Sequence, residues 1–453
     1  MTAAAPIDRS RLERLLAAEQ RRFEELHPGS LAQHRAASEH LILGVPMPWM
    51  LAWDGACPLY VERGEGARLT DVDGNEYVDL CLGDTGAMTG HSPPATVAAV
   101  AERAAIGMTF MLPTADTAVV SRELGRRFGL PRWQYTLSAT DANRHALRYA
   151  RLLTGRPRIL IFDRCYHGTV SECFATLRDG KVVAREGSVG AAVDPAQTTR
   201  VVPFNDIEAL RAELAYGDVA CVLTEPAMTN TGVVLPQPDF HRELRAATRE
   251  AGTFLIIDET HTLSAGPAGM TGRDRLEPDM LVVGKAVAGG VPAAALGVSE
   301  DIAGRIDEAI EPGRAGMAGV GGTLAANALS LAAMRATLEE VLTEAAFART
   351  DALGARCAAG IDAVIAERSL PWHVVRIGGR VEYHFTPRPL RDGAEGAAAV
   401  DSDLSGFLHL FALNRGVMVF PFHNRCLVSP AHEDADVDRH SEVFAAAIEA
   451  LLD

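Results

Sequence analysis

Apolar side chains at Leu12, Leu15, Leu16, Phe23 and Leu26 recur at helical spacing among charged residues, and predict an amphipathic helical segment over 8–40. From Ala52 to Leu82 the pattern shortens to that of strands. Within it, Asp71-Val72-Asp73-Gly74-Asn75-Glu76-Tyr77-Val78-Asp79 sets an Asp-Gly turn between alternating residues and predicts a hairpin. From about 95 to 300, helical stretches alternate with apolar runs at Arg158–Phe162, Arg200–Val202, Val219–Thr224, Thr253–Asp258 and Met280–Val283. That alternation predicts an α/β domain, with a mainly parallel sheet, right-handed crossovers and helices on both faces. An Ala- and Leu-rich helical region follows over 325–368. Strands near 373–386 and 417–428 and a closing helix near 434–452 complete the chain. The expected division is an N-terminal segment over 1–70 that joins the smaller lobe, a large domain over 71–335, and a smaller α+β domain over 336–453. Gly378-Gly379 and Pro387–Gly396 are the segments expected to be mobile.

At 453 residues, the chain is long enough for two domains and a large core. A hydrophobic fraction of 48% and a charged fraction of 23% are ordinary for a globular enzyme. The net charge of −16 offers no basic face to replace phosphate counterions, so no nucleic-acid partner is expected. Cysteines 57, 81, 165, 173, 221, 357 and 426 are odd in number and lack CxxC spacing. They read as reduced thiols, not as a disulfide framework or a zinc site, and no metal is expected. No apolar run approaches the roughly 20 residues of a membrane span, and the start Met1-Thr2-Ala3-Ala4-Ala5-Pro6 lacks the pattern of a secretory leader. The expectation is a cytoplasmic protein with no membrane partner.

Two apolar runs end abruptly in one functional side chain each. Phe254-Leu255-Ile256-Ile257 stops at Asp258, and Met280-Leu281-Val282-Val283-Gly284 stops at Lys285. Ligands of open parallel sheets bind beyond the carboxyl ends of the strands, so both tips are expected to face one crevice. An acid and a lysine there point to pyridoxal phosphate (PLP) chemistry. The lysine holds the aldehyde as a Schiff base, and the carboxylate keeps the pyridine nitrogen protonated so that the ring accepts electrons. Singly, either residue reads equally as a helix-capping Asp or a surface Lys. Ser138-Ala139-Thr140-Asp141-Ala142-Asn143 follows a short apolar stretch and opens a helix, so the Ala139 and Thr140 amides and the Thr140 hydroxyl form a candidate phosphate cradle, or an ordinary N-cap. Tyr166-His167-Gly168 and Glu225-Pro226 end two further runs. Tyr166 could stack on a flat ring or be a half-buried loop aromatic, and Glu225 could be a surface or capping residue.

Taken in order, Ser-x-Thr-Asp-Ala-Asn, Tyr-His-Gly, Glu-Pro, Asp-Glu-Thr, Lys285 and Gly322-Thr323 resemble the class III (subgroup II) PLP-dependent aminotransferases. The likeness runs from about Val61, through Arg63-Gly64-Glu65-Gly66, to about Arg439, and is to the branch of glutamate-1-semialdehyde aminomutase and the β-amino-acid and amine transaminases. The resemblance implies the PLP-dependent transferase fold type I, whose large domain carries a mainly parallel seven-stranded sheet. It implies that Lys285 holds the cofactor and moves protons, that Asp258 pairs with the pyridine N–H, and that Thr260 and Tyr166 cover the two ring faces. Ser138, Ala139 and Thr140 would hold the phosphate, with His167 in the cofactor site and Glu225 near the phenolic oxygen. Thr323 would reach the cofactor phosphate of a second subunit, so a homodimer with shared sites is implied. Two departures stand out. Ala139 and Asp141 replace the usual Gly and Glu, and His261-Thr262-Leu263-Ser264 replaces a Gly-Phe-Arg common in relatives, which reshapes a substrate wall.

An amino-acid substrate needs a cation, usually arginine, for its carboxylate. The stretch Gly44 to Trp53, where β-amino-acid relatives keep one, has none. It offers Trp49 and Trp53, with Met47 and Met50, as an apolar aromatic pocket, or equally as core or interface. Arg425 lies near the place where relatives keep a movable arginine. The reading is a transaminase moving an amino group from an amine or amino compound with a bulky apolar substituent to a keto acid such as pyruvate. The alternatives are a β-amino-acid transaminase, which needs Arg425, Arg380 or another arginine in the pocket, and a glutamate-1-semialdehyde-type 2,1-aminomutase. Lys285 argues against a non-enzymatic binding protein.

Overall fold

The structure is a computed structural model that describes residues 7–311, 314, 316 and 318–453. It divides into two compact units, each assembled from separated stretches of chain. The first comprises Met1–Pro93, Ala348–Pro389 and Ala399–Asp453; the second comprises Pro94–Phe347 and Leu390–Ala398.

The first unit opens with two helices, Arg9–Leu26 and Pro28–Ser38, where the pattern predicts one segment. Pro28 disfavours helical backbone at the residue before it, and His27 leaves the helical region at φ −126° and ψ 46°. Strands β1 (Val61–Glu65), β2 (Arg68–Asp71) and β3 (Glu76–Asp79) form an antiparallel meander. Gly74 supplies φ +83° at its second turn, while the Asp71 carboxylate accepts the Asp73 and Asn75 amides.

The second unit carries a seven-stranded sheet. Its strands are β4 (Arg132–Thr136), β5 (Arg158–Phe162), β8 (Thr199–Val202), β9 (Val219–Thr224), β10 (Phe254–Asp258), β11 (Met280–Val283) and β12 (Ala294–Val298). The antiparallel pair β6 (Ala175–Arg178) and β7 (Lys181–Ala184) stands apart from it. The spatial order is β4-β12-β11-β10-β9-β5-β8, with β12 alone running against its neighbours among these seven strands. Strands β9, β10 and β11 are buried along their whole length, as apolar runs covered on both faces must be. The helical region expected over 325–368 is broken. Ala328–Ala336 passes through a π-helical turn, Thr337–Val341, and a separate helix runs over Glu344–Glu367.

The chain then returns to the first unit with β13 (His373–Ile377), β14 (Arg380–His384), β15 (Val417–Met418) and β16 (Arg425–Leu427). Strands β13, β14 and β16 form an antiparallel sheet, and β15 pairs in parallel with β3. That pairing draws the N-terminal residues through Pro93 into this unit. The unit boundaries therefore fall at 93/94 and within the Glu344–Glu367 helix, not at 70/71 and 335/336. Leu12, Leu353, Ile361, Phe407 and Val417 meet in its core. Gly378-Gly379 is a two-residue turn between β13 and β14, with Gly379 against Thr350 and the Val428 carbonyl. Gly393–Ala398 is a short helix of the second unit, with Gly396 against the Thr231 carbonyl. Both are close-packed, although glycine content pointed to mobility. Among the described residues, no helix is long and apolar enough to cross a membrane.

Candidate active site

Asp258 and Lys285 stand at the carboxyl ends of adjacent parallel strands. Asp258 closes β10 opposite Val282 of β11, and Lys285 follows β11 after Gly284. Lys285 has φ +53°, a left-handed conformation that costs a non-glycine residue on the order of 1–3 kcal/mol and that concentrates at functional sites. Asp258 is only 4% exposed, yet both oxygens of its carboxylate have partners. Asn143 Nδ2 donates to Oδ2 at 2.9 Å, His167 Nδ1 lies 3.0 Å from the same oxygen, and the Thr260 amide donates to Oδ1 at 3.1 Å. Burial opposes the charge, but the hydrogen bond and charge of His167, with the Thr260 and Asn143 bonds, hold the carboxyl below its usual range. His167 is pushed up to about 10: burial opposes the shift, and Cys165 and Asp258 favour the imidazolium.

The phosphate candidates lie at the start of the helix Ala139–Thr154. Ser138 caps it, its hydroxyl accepting the Asp141 amide at 3.2 Å, while the Ala139 and Thr140 amides lie in the first turn, which has no intrahelical acceptors. Thr140 Oγ1 accepts the Thr169 amide at 3.1 Å. Gly168 turns here at φ +79°, and a Cβ on it would overlap Thr140 Oγ1. Half-buried Tyr166 precedes this turn. Glu225, just past β9, is buried, and its Oε2 accepts from the Thr229 hydroxyl at 2.5 Å. Burial raises its carboxyl to about 7, with His167 and the Thr229 bonds working the other way.

Sequence reasoning placed His261 in an altered wall but gave it no partner; its Nε2 lies 2.9 Å from Lys285 Nζ. Nothing in local periodicity announces that contact. Asn143, read only as part of the phosphate motif, is likewise one of the groups that hold Asp258.

The other sequence-predicted residues lie elsewhere. Thr323 is exposed in the second unit, four residues before the Asn327 cap of Ala328–Ala336. In the first unit, Trp53 packs on the cluster around Phe23, Tyr77 and Phe420, so it is core material. Trp49 is 41% exposed and stands edge-on to Phe422, with ring centroids 5.9 Å apart. Arg425 is 2% exposed, donates to Asp84 Oδ1 at 2.5 Å and lies 4.0 Å over the Phe420 ring. Arg380 is fully buried and donates to Thr85 Oγ1 at 2.6 Å. Both arginines hold one loop, Leu82–Thr85, whose four residues all have positive φ.

In the same unit, Cys357, Cys426 and His440 each bring a ligand atom within 4.8 Å of the others, all buried. They come from a helix, a strand and a second helix, so cysteine spacing could not reveal them. Among the described residues no fourth His, Cys, Asp or Glu joins the group, so it lacks the closed tetrahedral shell of structural zinc.

A family model for the class-III aminotransferases matches residues 50–448. The chain belongs to that family. This aminotransferase is similar to a glutamate-1-semialdehyde-aminomutase from Pseudomonas aeruginosa PAO1, at 49% identity and a TM-score of 0.97 over 98% of this chain and 100% of that one. A lysine-to-alanine variant of that protein has been solved in complex with PMP. It is 34% identical over 405 residues to the glutamate-1-semialdehyde 2,1-aminomutase of Roseiflexus castenholzii, covering 88% of this chain and 91% of that one. It is 29% identical to an omega-transaminase from Sphaerobacter thermophilus, with a TM-score of 0.86 over 93% and 97% of the two chains. The fold is that of the PLP-dependent enzymes of fold type I, and the cofactor is pyridoxal 5′-phosphate. The residues present fit the cofactor. Asp258 is a buried carboxylate ready to face a cationic ring nitrogen. Asn143 Oδ1 is a buried polar atom without a protein partner, and Gly168, where a Cβ would overlap Thr140, keeps the start of the Ala139–Thr154 helix clear.

Proposed function

We propose that this aminotransferase takes the amino group of an amine or amino compound carrying a bulky apolar substituent and hands it to a keto acid such as pyruvate. The observation that carries the reading is that Lys285 and the deeply held carboxylate of Asp258 stand at the ends of neighbouring strands. When bound, PLP supplies an aldehyde that a lysine can hold and a ring that accepts an electron pair. Lys285 holds the cofactor and exchanges the proton at the substrate carbon. Asp258, oriented by Asn143 and His167, keeps the ring nitrogen protonated; the first-turn amides of Ala139 and Thr140 and the Thr140 hydroxyl bind the phosphate, with Ser138 fixing the helix start. Tyr166 and Thr260 cover the ring, Glu225 stands near its phenolic oxygen, and Thr323 serves the site of a second subunit.

A second reading, a 2,1-aminomutase, draws support from relatives of that name at 34% and 49% identity. Purified protein loaded with PLP separates the two when mixed with a panel of amines and amino compounds. The proposed transaminase releases a carbonyl product, stops after one turnover without a keto acid, and resumes when pyruvate is added. An aminomutase turns over a bifunctional substrate continuously with no acceptor, and that result overturns the transaminase reading. Asp258→Asn is expected to slow the transaminase by roughly 10²–10³-fold, as for other electrostatic catalytic contacts.

A further inference from the structure

The contact between His261 and Lys285 has no place in the chemistry assigned above. His261 Nε2 lies 2.9 Å from Lys285 Nζ, and His261 is 9% exposed. Both backbones are set by the segments that leave adjacent strands: His261 precedes the short 3₁₀ turn Thr262–Ala265 after β10, and Lys285 opens the one after β11. Two cations at such a separation repel strongly in a site this closed. The doubly protonated pair is therefore disfavoured, and the contact holds with at most one of the two groups charged, so protonation of either is coupled to that of the other.

Other titratable groups on the surrounding elements have partners of their own. Asp258 is bound by Asn143 and His167. Glu259 accepts the Thr262 hydroxyl and the Met270 and Thr271 amides, and Glu225 accepts the Thr229 hydroxyl.

We propose that His261 is the proton-exchange partner of the Lys285 amine, an inference that rests on reading Lys285 as the lysine that holds PLP. In the exchange an Nζ–H bond breaks and an Nε2–H bond forms, which leaves a neutral amine and an imidazolium; the reverse step restores the pair. No electrons change hands. The amine must be neutral both to attack an aldehyde and to take a proton from a substrate carbon, so His261 acts through Lys285 as a positioning residue.

The test uses the whole chain in two forms. In the apoprotein, trace labelling with acetic anhydride across a pH series, read at the Lys285 peptide by mass spectrometry, reports how much neutral amine is present. Wild type is expected to gain label in two stages, because the pair titrates jointly, and His261→Asn in one. In the PLP-loaded enzyme, His261→Ala is expected to lower the single-turnover rate at least roughly tenfold, with partial recovery on adding free imidazole. Superimposable labelling profiles, or an unchanged rate, overturn the proposal. Borohydride trapping of each variant runs alongside. Label on Lys285 with unchanged profiles overturns this inference alone, whereas a trapped peptide without Lys285 overturns the cofactor reading and this inference with it.

Discussion

Two buried charges give opposite tests of what burial does. Burial raises the Glu225 carboxyl from its ordinary 4.5 to about 7. A carboxyl raised in the folded state contributes stability that is fully present below 4.5 and lost as pH climbs through about 7. In the apoprotein, Glu225→Gln should therefore melt increasingly above wild type between those limits, by an amount on the order of 3 kcal/mol at the alkaline end. An offset that is constant across pH would show that Glu225 does not titrate there. Arg425 tests the other side. With its guanidinium on half-buried Asp84 and over Phe420, Arg425→Ala removes a charge-assisted bond and a buried side chain and should destabilise the fold by roughly 1–3 kcal/mol, read by denaturant melting. If stability instead holds while KM for pyruvate rises, Arg425 anchors the acceptor, as its sequence position first suggested. That partnership was not legible in the sequence. Arg425 and Asp84 lie 341 residues apart, and no local pattern encodes such a pair.

At the scale of elements the sequence was far more readable, because burial on both faces of a sheet writes itself as an uninterrupted apolar run. Arg158–Phe162, Val219–Thr224 and Met280–Val283 are strands with the predicted ends, so the positions of Asp258 and Lys285 could be anticipated. The π-helical turn at Thr337–Val341 could not, because it lies within a stretch of continuous helical propensity. The same holds for the close approach of Gly168 to Thr140, which only the packed structure reveals. Gly168→Ala meets both a left-handed φ and an overlap with Thr140 Oγ1. It should lower the melting temperature by several degrees, the fall expected for roughly 1–3 kcal/mol in this size class, and weaken PLP binding in a titration of the apoprotein. Unaltered PLP affinity would separate this turn from the phosphate site.

For the whole molecule, the role proposed for Thr323 implies a homodimer as the active form. Exposed apolar residues in the second unit support this: Met111 and Leu112 are 77% and 70% exposed, Met108 and Phe110 lie beside them, and the Met108 carbonyl accepts the Leu329 amide. Mixing Lys285→Ala and Thr323→Ala chains should restore activity, because each heterodimer then carries one site free of both lesions. No recovery, with subunit exchange verified by mass, would mean that Thr323 serves its own chain. The interleaving of the two units also imposes an order on synthesis. Strand β3 pairs with β15, whose Val417 is translated roughly 340 residues after Val78, so at about 5–20 residues per second the first sheet waits some 17–70 s for its last strand. By then nearly all of the second unit, with every cofactor-binding position proposed here, has left the ribosome. A chain stalled near residue 400 should thus protect the second unit from protease while its N-terminal hairpin is still cut, and added PLP should strengthen that protection before the first unit has closed.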